Sequence, residues 1–366
     1  MAASEGITEH DVDPPYDLLL QHNASIFGKH AAGKTILVLR EVLACSAQAL
    51  SEVVPQVDEQ TQRLLCDLAL ATQKLSRGHV VEYVAAATDG QGRLYAKQSC
   101  AQYLPKPVRA FIYAQAHQEV DMAGAHYELI RRYVNSSSLP HIDLLRTTLA
   151  NIWGENVCVG GENIIKMFPV RIINAGAPAT LRFLQQHHLA VAGFVSTVAL
   201  DLDAAKVVCT DAVLRHRTEL QTTYTNRYFY ACEYLEMQLM SRFVKAIQMR
   251  YRCASIIWLH DGVFLDAAVC SADIATAEQE AVKEVLPNST HTERLFRTHS
   301  LATEHSKAVE LFSNIPTASY IFPAHPVPLP LRTSRKKPAA VFHDRRHHES
   351  HDEVYHARMR KRTRRF

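Results

Sequence analysis

The chain has 366 residues, 47% of them apolar, so it can bury a large core. The formal net charge of +3 is unevenly distributed. Residues 331–366 hold twelve Lys or Arg and four Asp or Glu, a net of +8, which leaves −5 on the other 330. None of the eight cysteines has the C-x-x-C spacing of a zinc site, and no apolar run is long enough for a membrane span. An intracellular protein of a reducing compartment is expected, and its basic tail would bind nucleic acid or act as a nuclear address.

The first motif is a match to G-x-x-x-x-G-K-[ST] within Gly28–Thr35. In a phosphate-binding loop of this kind, the backbone around Gly28 and Gly33 would curl about the phosphates. Lys34 would reach the β and γ oxygens, and Thr35 would hold Mg²⁺. A helix is predicted directly after the motif, but the strand required before it is poor. A P-loop nucleotide-binding protein and a chance match both remain open.

Hydrophobic periodicity and turn residues predict the elements that follow. Helices are predicted at 58–76, 105–117, from 125 onward, 142–153, 181–190, 224–251 and 276–285, and strands at 80–87, 93–97 and 194–200. The predicted domains are an N-terminal helical region at 1–90, a core at 91–290, an extension at 291–330 and a disordered basic tail at 331–366.

Two carboxylates, Asp121 and Asp261, stand at predicted strand ends. Asp121 lies within the short apolar run 120–122 before Gly124, and Asp261 begins an Asp-Gly pair within residues 256–265, the pattern of a β-hairpin. Taken alone, Asp121 is also explained as a helix cap and Asp261 as a turn residue. Together they suggest a two-metal site for phosphoryl transfer, for which Mg²⁺ needs only one or two protein carboxylates.

Several short motifs accompany these carboxylates in a fixed order. In chain order they are Gly-Arg-Leu-Tyr-Ala at 92–96, Gln-Tyr-Leu-Pro at 102–105, Arg109, Asp121, the segment 166–176 that begins with Lys166, and His260-Asp261. In this order they resemble the polymerase core of family A DNA polymerases, the relatives of DNA polymerase I. The resemblance covers about residues 90–268 and looks closer to a divergent, compact branch than to the bacterial enzymes.

The resemblance implies a role for each matching residue. Asp121 and Asp261 would hold two Mg²⁺ ions, and Lys166 would stabilise the triphosphate. The remaining candidates would bind substrate, and they are Arg93, Gln102, Arg109, His126, Asn174 and His260.

Three positions depart from the family pattern. His126 stands five residues after Asp121, where the family has a Glu that excludes a ribose hydroxyl. Glu162 replaces an Arg four residues before Lys166, and Asn174 replaces an aromatic residue eight residues after it. If His126 lines the sugar pocket, its imidazole can donate a hydrogen bond to a 2′-hydroxyl, which predicts weak discrimination between ribose and deoxyribose, with deoxynucleotides still preferred.

The sequence therefore predicts an α+β fold in which a small antiparallel palm sheet is flanked by helices and interrupted by a helical fingers insertion. The predicted activity is template-directed nucleotidyl transfer with two Mg²⁺ ions. The predicted partners are a primer–template and nucleoside triphosphates, without a membrane. The alternatives are the P-loop protein that uses Gly28–Thr35, and an inactive polymerase-derived protein that binds nucleic acid.

Overall fold

The computed structural model describes residues 35–43, 45, 47–74, 79–85, 94–97, 100–215, 227–252, 254–259 and 262–313, and within them the fold is α+β. The strands are β1 (Thr35–Glu41), β2 (His79–Ala85), β3 (Leu94–Ala96), β4 (His117–Met122), β5 (Cys158–Val159), β6 (Glu162–Asn163), β7 (Ile256–Leu259), β8 (Gly262–Asp266) and β9 (Phe296–Ser300). The helices are α1 (Ala47–Val53), α2 (Glu59–Lys74), α3 (Lys106–Tyr113), α4 (Ala125–Tyr133), α5 (Ile142–Trp153), α6 (Ile164–Ala175), α7 (Ala177–Gln186), α8 (Phe194–Leu214), α9 (Arg227–Arg250), α10 (Ser271–Val285) and α11 (Ala302–Ser313).

A four-stranded antiparallel sheet with the order β7-β8-β4-β9 lies at the centre of the fold. Strand β4 pairs on both sides, with β8 and with β9, so its backbone donors and acceptors are used by the ladder. Val120 and Met122 of β4 are buried, whereas Asp121 between them is half-buried. This alternation follows the two-residue period of a strand and turns Asp121 to the face opposite its apolar neighbours.

A second antiparallel sheet, β1-β2-β3, packs beside the first where β1 meets β7. The Val42 N–H donates to Ser255 Oγ at 2.9 Å, and Ser255 Oγ lies 2.8 Å from His117 Nε2. Burial lowers the pKa of His117 below its usual value, so the ring stays neutral and joins the two sheets by hydrogen bonds. Strand β1 was not predicted in the region named helical, 1–90, whereas β2 agrees with the strand predicted at 80–87 and α2 with the helix predicted at 58–76.

A buried carboxylate fixes the end of β1. Glu41 accepts hydrogen bonds from Tyr83 Oη at 2.9 Å, Tyr113 Oη at 3.3 Å and the Ala101 N–H at 3.1 Å. Burial raises the pKa of Glu41 to about 7 against the opposing effect of these donors. Glu41 thus connects β1, β2, α3 and the short 3₁₀ turn at Ala101–Tyr103.

In its described part, the chain between β4 and β7 is a helical layer, α4 to α9, that also contains the small β5–β6 ladder. Residues 194–200 were predicted to be a strand, but they begin the 21-residue helix α8. Within α8, Val195, Val198 and Leu202 are buried at the spacing of a helix face, and each fully buried side chain of this kind contributes about 1.5–3 kcal/mol. Tertiary packing of this face outweighs the strand preference of its β-branched residues.

The C-terminal part of the described chain adds β9 and α11, neither of which was predicted. Helix α11 packs on α3, and Phe312 meets Phe111 edge to face with ring centroids 5.4 Å apart. The predicted tail at 331–366 lies outside the described residues. Among the described helices, none combines the length and apolar character that a bilayer crossing requires.

Candidate active site

Asp121 occupies the second-last position of β4, at the end of the sheet where the chain turns into α4. Gly124 makes this turn in the left-handed conformation, with φ of +64°. A Cβ atom there would lie 2.9 Å from Cγ1 of Ile142, so only glycine fits both the backbone and the space. The predicted arrangement of an acid at a strand end before a helix is confirmed.

The predicted hairpin is also confirmed, and it lies next to Asp121. Leu259 of β7 pairs with Gly262 of β8, so the two residues that join these strands are His260 and Asp261. In the β4–β8 ladder, Asp121 pairs with Gly262. His260 and Asp261 themselves lie outside the described residues, and so the predicted approach of the two carboxylates to about 4–7 Å stays a prediction.

On its other side, Asp121 pairs with Arg297 of β9. Directly opposite residues of neighbouring strands point to the same face, so the Arg297 side chain shares the face of Asp121. Its guanidinium donates to Oδ1 of Asp143 at the start of α5. Partial burial alone would raise the pKa of Asp143, but the bond and charge of Arg297 hold that pKa below its usual value.

Helix α4 is fixed beside the site by the buried carboxylate of Glu128. Oε1 accepts the Ile142 N–H at 2.8 Å, and Oε2 lies 3.2 Å from Nη1 of Arg131 and 3.5 Å from Nε of Arg132. Arg131 also donates to the carboxylate of Glu293, which precedes β9, and Arg132 donates to the Glu293 carbonyl. This network joins α4, α5 and the approach to β9, the three segments around Asp121.

His126, a predicted sugar-pocket residue, lies in the first turn of α4. Its Nε2 is 3.2 Å from Oε2 of Glu236 on α9, and its ring meets Phe229 edge to face with centroids 5.1 Å apart. The side chain of His126 is 20% exposed, whereas that of Glu236 is 4% exposed. Sequence reasoning missed Glu236, because a Glu inside a long helix carries no signal until α4 and α9 are packed together.

The predicted fingers segment forms α6, whose N-terminus is capped by Asn163 through a 3.2 Å bond from the Lys166 N–H. Lys166, Val170 and Asn174 are all exposed, four residues apart, on one face of this helix. The two polar candidates therefore share a surface with an apolar residue between them. No hydrogen bond or ion pair joins the side chain of Lys166 to another described residue.

Gln102 was predicted to bind substrate, but its amide is used within the fold. Its Oε1 accepts the Ala96 N–H at 3.0 Å, and its Nε2 donates to the Leu94 carbonyl at 3.0 Å, which fastens β3 to the 3₁₀ turn. The side chain is buried, so its role is structural.

Arg109, on α3, was also predicted to bind substrate. Its Nη1 lies 3.3 Å from the Leu104 carbonyl, and its guanidinium carbon lies 5.9 Å from the ring centroid of Phe264. It also lowers the pKa of the buried Glu41 carboxyl, although burial of that carboxyl has the larger, opposite effect. These contacts turn the guanidinium toward the protein. Arg93 lies outside the described residues.

The phosphate-binding-loop prediction fails at its C-terminal side. Gly28, Gly33 and Lys34 lie outside the described residues, but Thr35 is the first residue of strand β1 and pairs with Val84. The motif needs a helix N-terminus after its Lys, because the helix dipole and its free N–H groups hold the phosphates. A strand in that place offers neither, and the helix expected directly after the motif was wrong.

No model of a known protein family matches the chain, and no curated protein is similar to it. Among the described residues, no group of three or more His, Cys, Asp and Glu side chains is arranged to hold a metal. Two carboxylate oxygen donors nevertheless suit Mg²⁺, which completes its octahedron with water and substrate phosphates.

Proposed function

We propose that the chain is a template-directed nucleotidyltransferase that joins a nucleoside triphosphate to the 3′-hydroxyl of a primer and releases pyrophosphate. The observation that carries the proposal is the pairing of Asp121 with Gly262, the residue that follows Asp261 in the chain. The residue that follows Asp261, about 140 residues after Asp121 in sequence, is thereby paired with Asp121 at one end of the sheet. Asp121 and Asp261 would each otherwise be an ordinary cap or turn residue.

The surrounding architecture supports the same function. A small antiparallel sheet bears Asp121 and Gly262, and the helical layer α4 to α9 is inserted between them in the chain, as expected of a palm with a fingers insertion. The exposed face of α6 presents Lys166, whose ammonium suits a triphosphate. Residues 331–366, with a net charge of +8, suit the phosphate backbone of nucleic acid.

Asp121 and Asp261 would hold the Mg²⁺ ions, which when bound supply positive charge to the reacting phosphate and to the attacking and leaving oxygens. Asp121 is held for this purpose by pairing on both sides of β4. Arg297 places a positive charge on the same face of the sheet as Asp121, and its guanidinium is hydrogen-bonded to Asp143. Lys166 would bind the β- and γ-phosphates, which leave as pyrophosphate.

Primer extension by the full chain with Mg²⁺ and the four deoxynucleoside triphosphates tests the proposal. Asp121→Asn and Asp261→Asn should each reduce extension by at least about a hundredfold, since each removes a metal-binding charge but keeps the shape. Asp211→Asn, on the exposed side of α8, is the control and should leave extension unchanged. Extension that survives both substitutions would overturn the proposal, and primer–template binding without any extension would favour the inactive nucleic-acid-binding alternative.

A further inference from the structure

Strand β9 is an edge strand of the described sheet β7-β8-β4-β9, so only one of its two sides pairs with β4. The β4–β8 ladder continues with a bond of 2.8 Å from the Ala267 N–H to the Ala116 carbonyl. Even-numbered residues of β4 therefore bond to β8, and odd-numbered residues bond to β9. Arg297 and His299 lie opposite odd-numbered residues of β4 and take those bonds.

The backbone N–H groups of Thr298 and Ser300 accordingly point away from β4. The start of the strand shows the same alternation, because the Phe296 N–H donates to Oε1 of Glu278 on α10 at 3.2 Å. No described residue bonds to the Thr298 N–H, the Thr298 carbonyl or the Ser300 N–H. Both residues are exposed. An unpaired edge of this kind is a template for a further strand.

The chain itself contains a segment that suits this edge. Residues 314–366 follow α11 and lie outside the described part of the chain. Within them, Thr-Ala-Ser-Tyr-Ile-Phe at 317–322 is rich in strand-forming residues and is bounded by a proline on each side. Its alternate residues Ala318, Tyr320 and Phe322 are apolar, which is the period of a strand with one buried face.

The connection through α11 is long enough for this segment to return to β9. Helix α11 begins two residues after Ser300 and rises about 18 Å over its 12 residues. The five residues from Asn314 to Ala318 span about the same distance when they are extended. The segment can therefore begin to pair at Ser300, the end of β9 from which α11 departs. A strand that begins at this end runs antiparallel to β9.

We propose that residues 317–322 add a fifth strand to the sheet, antiparallel to β9. The hydrophobic pattern sets the register, because the apolar residues of the segment belong on the face where Phe296 is buried. This register places Tyr320 opposite Thr298, whose free N–H and carbonyl then bond to the new strand. The inference does not depend on the proposed function.

The added strand also decides where the basic tail begins. Because it runs antiparallel to β9, the segment ends beside Phe296, at the end of the sheet that carries Asp121. Residues 323–330 include four prolines, which favour an extended conformation. At about 3.1 Å per residue they reach about 25 Å. The tail at 331–366, with its net charge of +8, therefore starts within that distance of the candidate site.

A pair of cysteines in the full chain tests the register. His299 and Ser319 lie opposite each other where the two strands exchange no hydrogen bonds, which brings their Cα atoms to about 4.5 Å, within disulfide range. His299→Cys with Ser319→Cys should form an intrachain disulfide under mild oxidation, located by mass spectrometry of peptides. His299→Cys with Ile321→Cys is the matched control, and it should remain mostly reduced because the second cysteine is out of register. Equal cross-linking of both pairs, or of neither, overturns the proposal, and a disulfide between two chains assigns the edge to a second copy instead.

Amide hydrogen exchange tests the strand without cysteines. The N–H groups of Thr298 and Ser300 should be protected in the wild type. Tyr320→Pro removes a backbone donor from the segment and should speed exchange of these two amides by at least about tenfold, whereas the odd-numbered residues of β9, which bond to β4, change little. Ala324→Pro, just outside the segment, is the control and should leave these amides unchanged.

Exchange at Thr298 that is fast in the wild type, or equally slow in the wild type and Tyr320→Pro, overturns the proposal. Neither measurement involves a nucleotide, so absence of primer extension would overturn the proposed function and leave this strand intact.

Discussion

Asp121 lies directly opposite Gly262 in the β4–β8 ladder, and this pair of residues sets the geometry of the candidate site. A Cβ atom on Gly262 would lie 2.8 Å from the Val120 carbonyl oxygen and 3.4 Å from Cα of Asp121. Real Cβ atoms do not approach backbone this closely, and a backbone atom in a central strand cannot move aside cheaply. The close approach of the hairpin to β4 therefore depends on glycine.

The first prediction is that Gly262→Ala separates β8 from β4 locally. The added methyl group should lower the free energy of unfolding by about 1–3 kcal/mol, the usual cost of overpacking a well-packed site. It should also reduce primer extension by more than this loss of stability explains, because it displaces the residue next to Asp261. Denaturant unfolding and extension at a temperature where the variant is fully folded separate the two effects. An Ala variant with wild-type stability and activity would contradict the close packing.

The second prediction concerns Glu128, whose carboxylate pairs with two buried guanidinium groups. Glu128→Ala leaves Arg131 and Arg132 without this charge partner and should lower the free energy of unfolding by about 3–5 kcal/mol. Glu59→Ala is the control, because it removes an exposed partner of Arg63 and should change stability by less than about 1 kcal/mol. If the two substitutions lower the free energy of unfolding equally, the buried network contributes no more to stability than an exposed ion pair.

Local sequence signals predict those elements whose pattern agrees with their packing. Helix α5 begins and ends at the predicted residues because its apolar period and its breaker, Gly154, act within the segment itself. Strand β1 was predicted as a helix, since an apolar run of this length suits either element until a partner strand, here β2, is known. Strand β9 was missed because its exposed residues, on an edge of the sheet, carry little hydrophobic signal.

The features of the candidate site likewise fall into those that the sequence predicts and those that depend on the fold. The position of Asp121 follows from a strand end and a glycine, which are both visible in the sequence. The contacts of Gln102 with β3 and of His126 with Glu236 join segments that are brought together only by the fold. Gln102 was therefore assigned to substrate binding because of its motif, although its amide makes hydrogen bonds to the backbone of β3.

The third prediction is a loss of stability with rising pH through Glu41. Its pKa is raised by burial from about 4.5 in the unfolded chain to about 7 in the fold. The folded state thus holds the proton more tightly, so the contribution is fully present below about pH 4.5 and is lost as pH rises to about 7. Between pH 5 and 8 the wild type should lose about 2–3 kcal/mol relative to Glu41→Gln.

Glu41→Gln is a suitable reference because glutamine is neutral throughout and can satisfy the same partners. Its oxygen can accept the Ala101 N–H, and its amide can donate to a tyrosine oxygen, either Tyr83 or Tyr113. Denaturant unfolding of both proteins at several pH values gives the difference, in which the other titrating groups cancel. Parallel pH profiles would mean that Glu41 does not titrate in this range.

The last prediction concerns Lys166, on the exposed face of α6 with Val170 and Asn174. If this face binds the triphosphate, Lys166→Ala removes a charge-assisted hydrogen bond and should lower kcat/KM for the nucleotide by at least about tenfold. Lys166→Arg keeps the charge and should retain more activity.

Because the side chain of Lys166 is exposed, the free energy of unfolding should change by no more than about 0.5 kcal/mol in Lys166→Ala. Lys245→Ala, at another exposed lysine, on α9, controls for the loss of one positive charge from the surface. Steady-state extension against nucleotide concentration, at two salt concentrations, gives the comparison. Should Lys166→Ala and Lys245→Ala have the same small effect, the triphosphate does not bind on this face of α6, and the likeness of residues 166–176 to a fingers helix would carry no functional meaning.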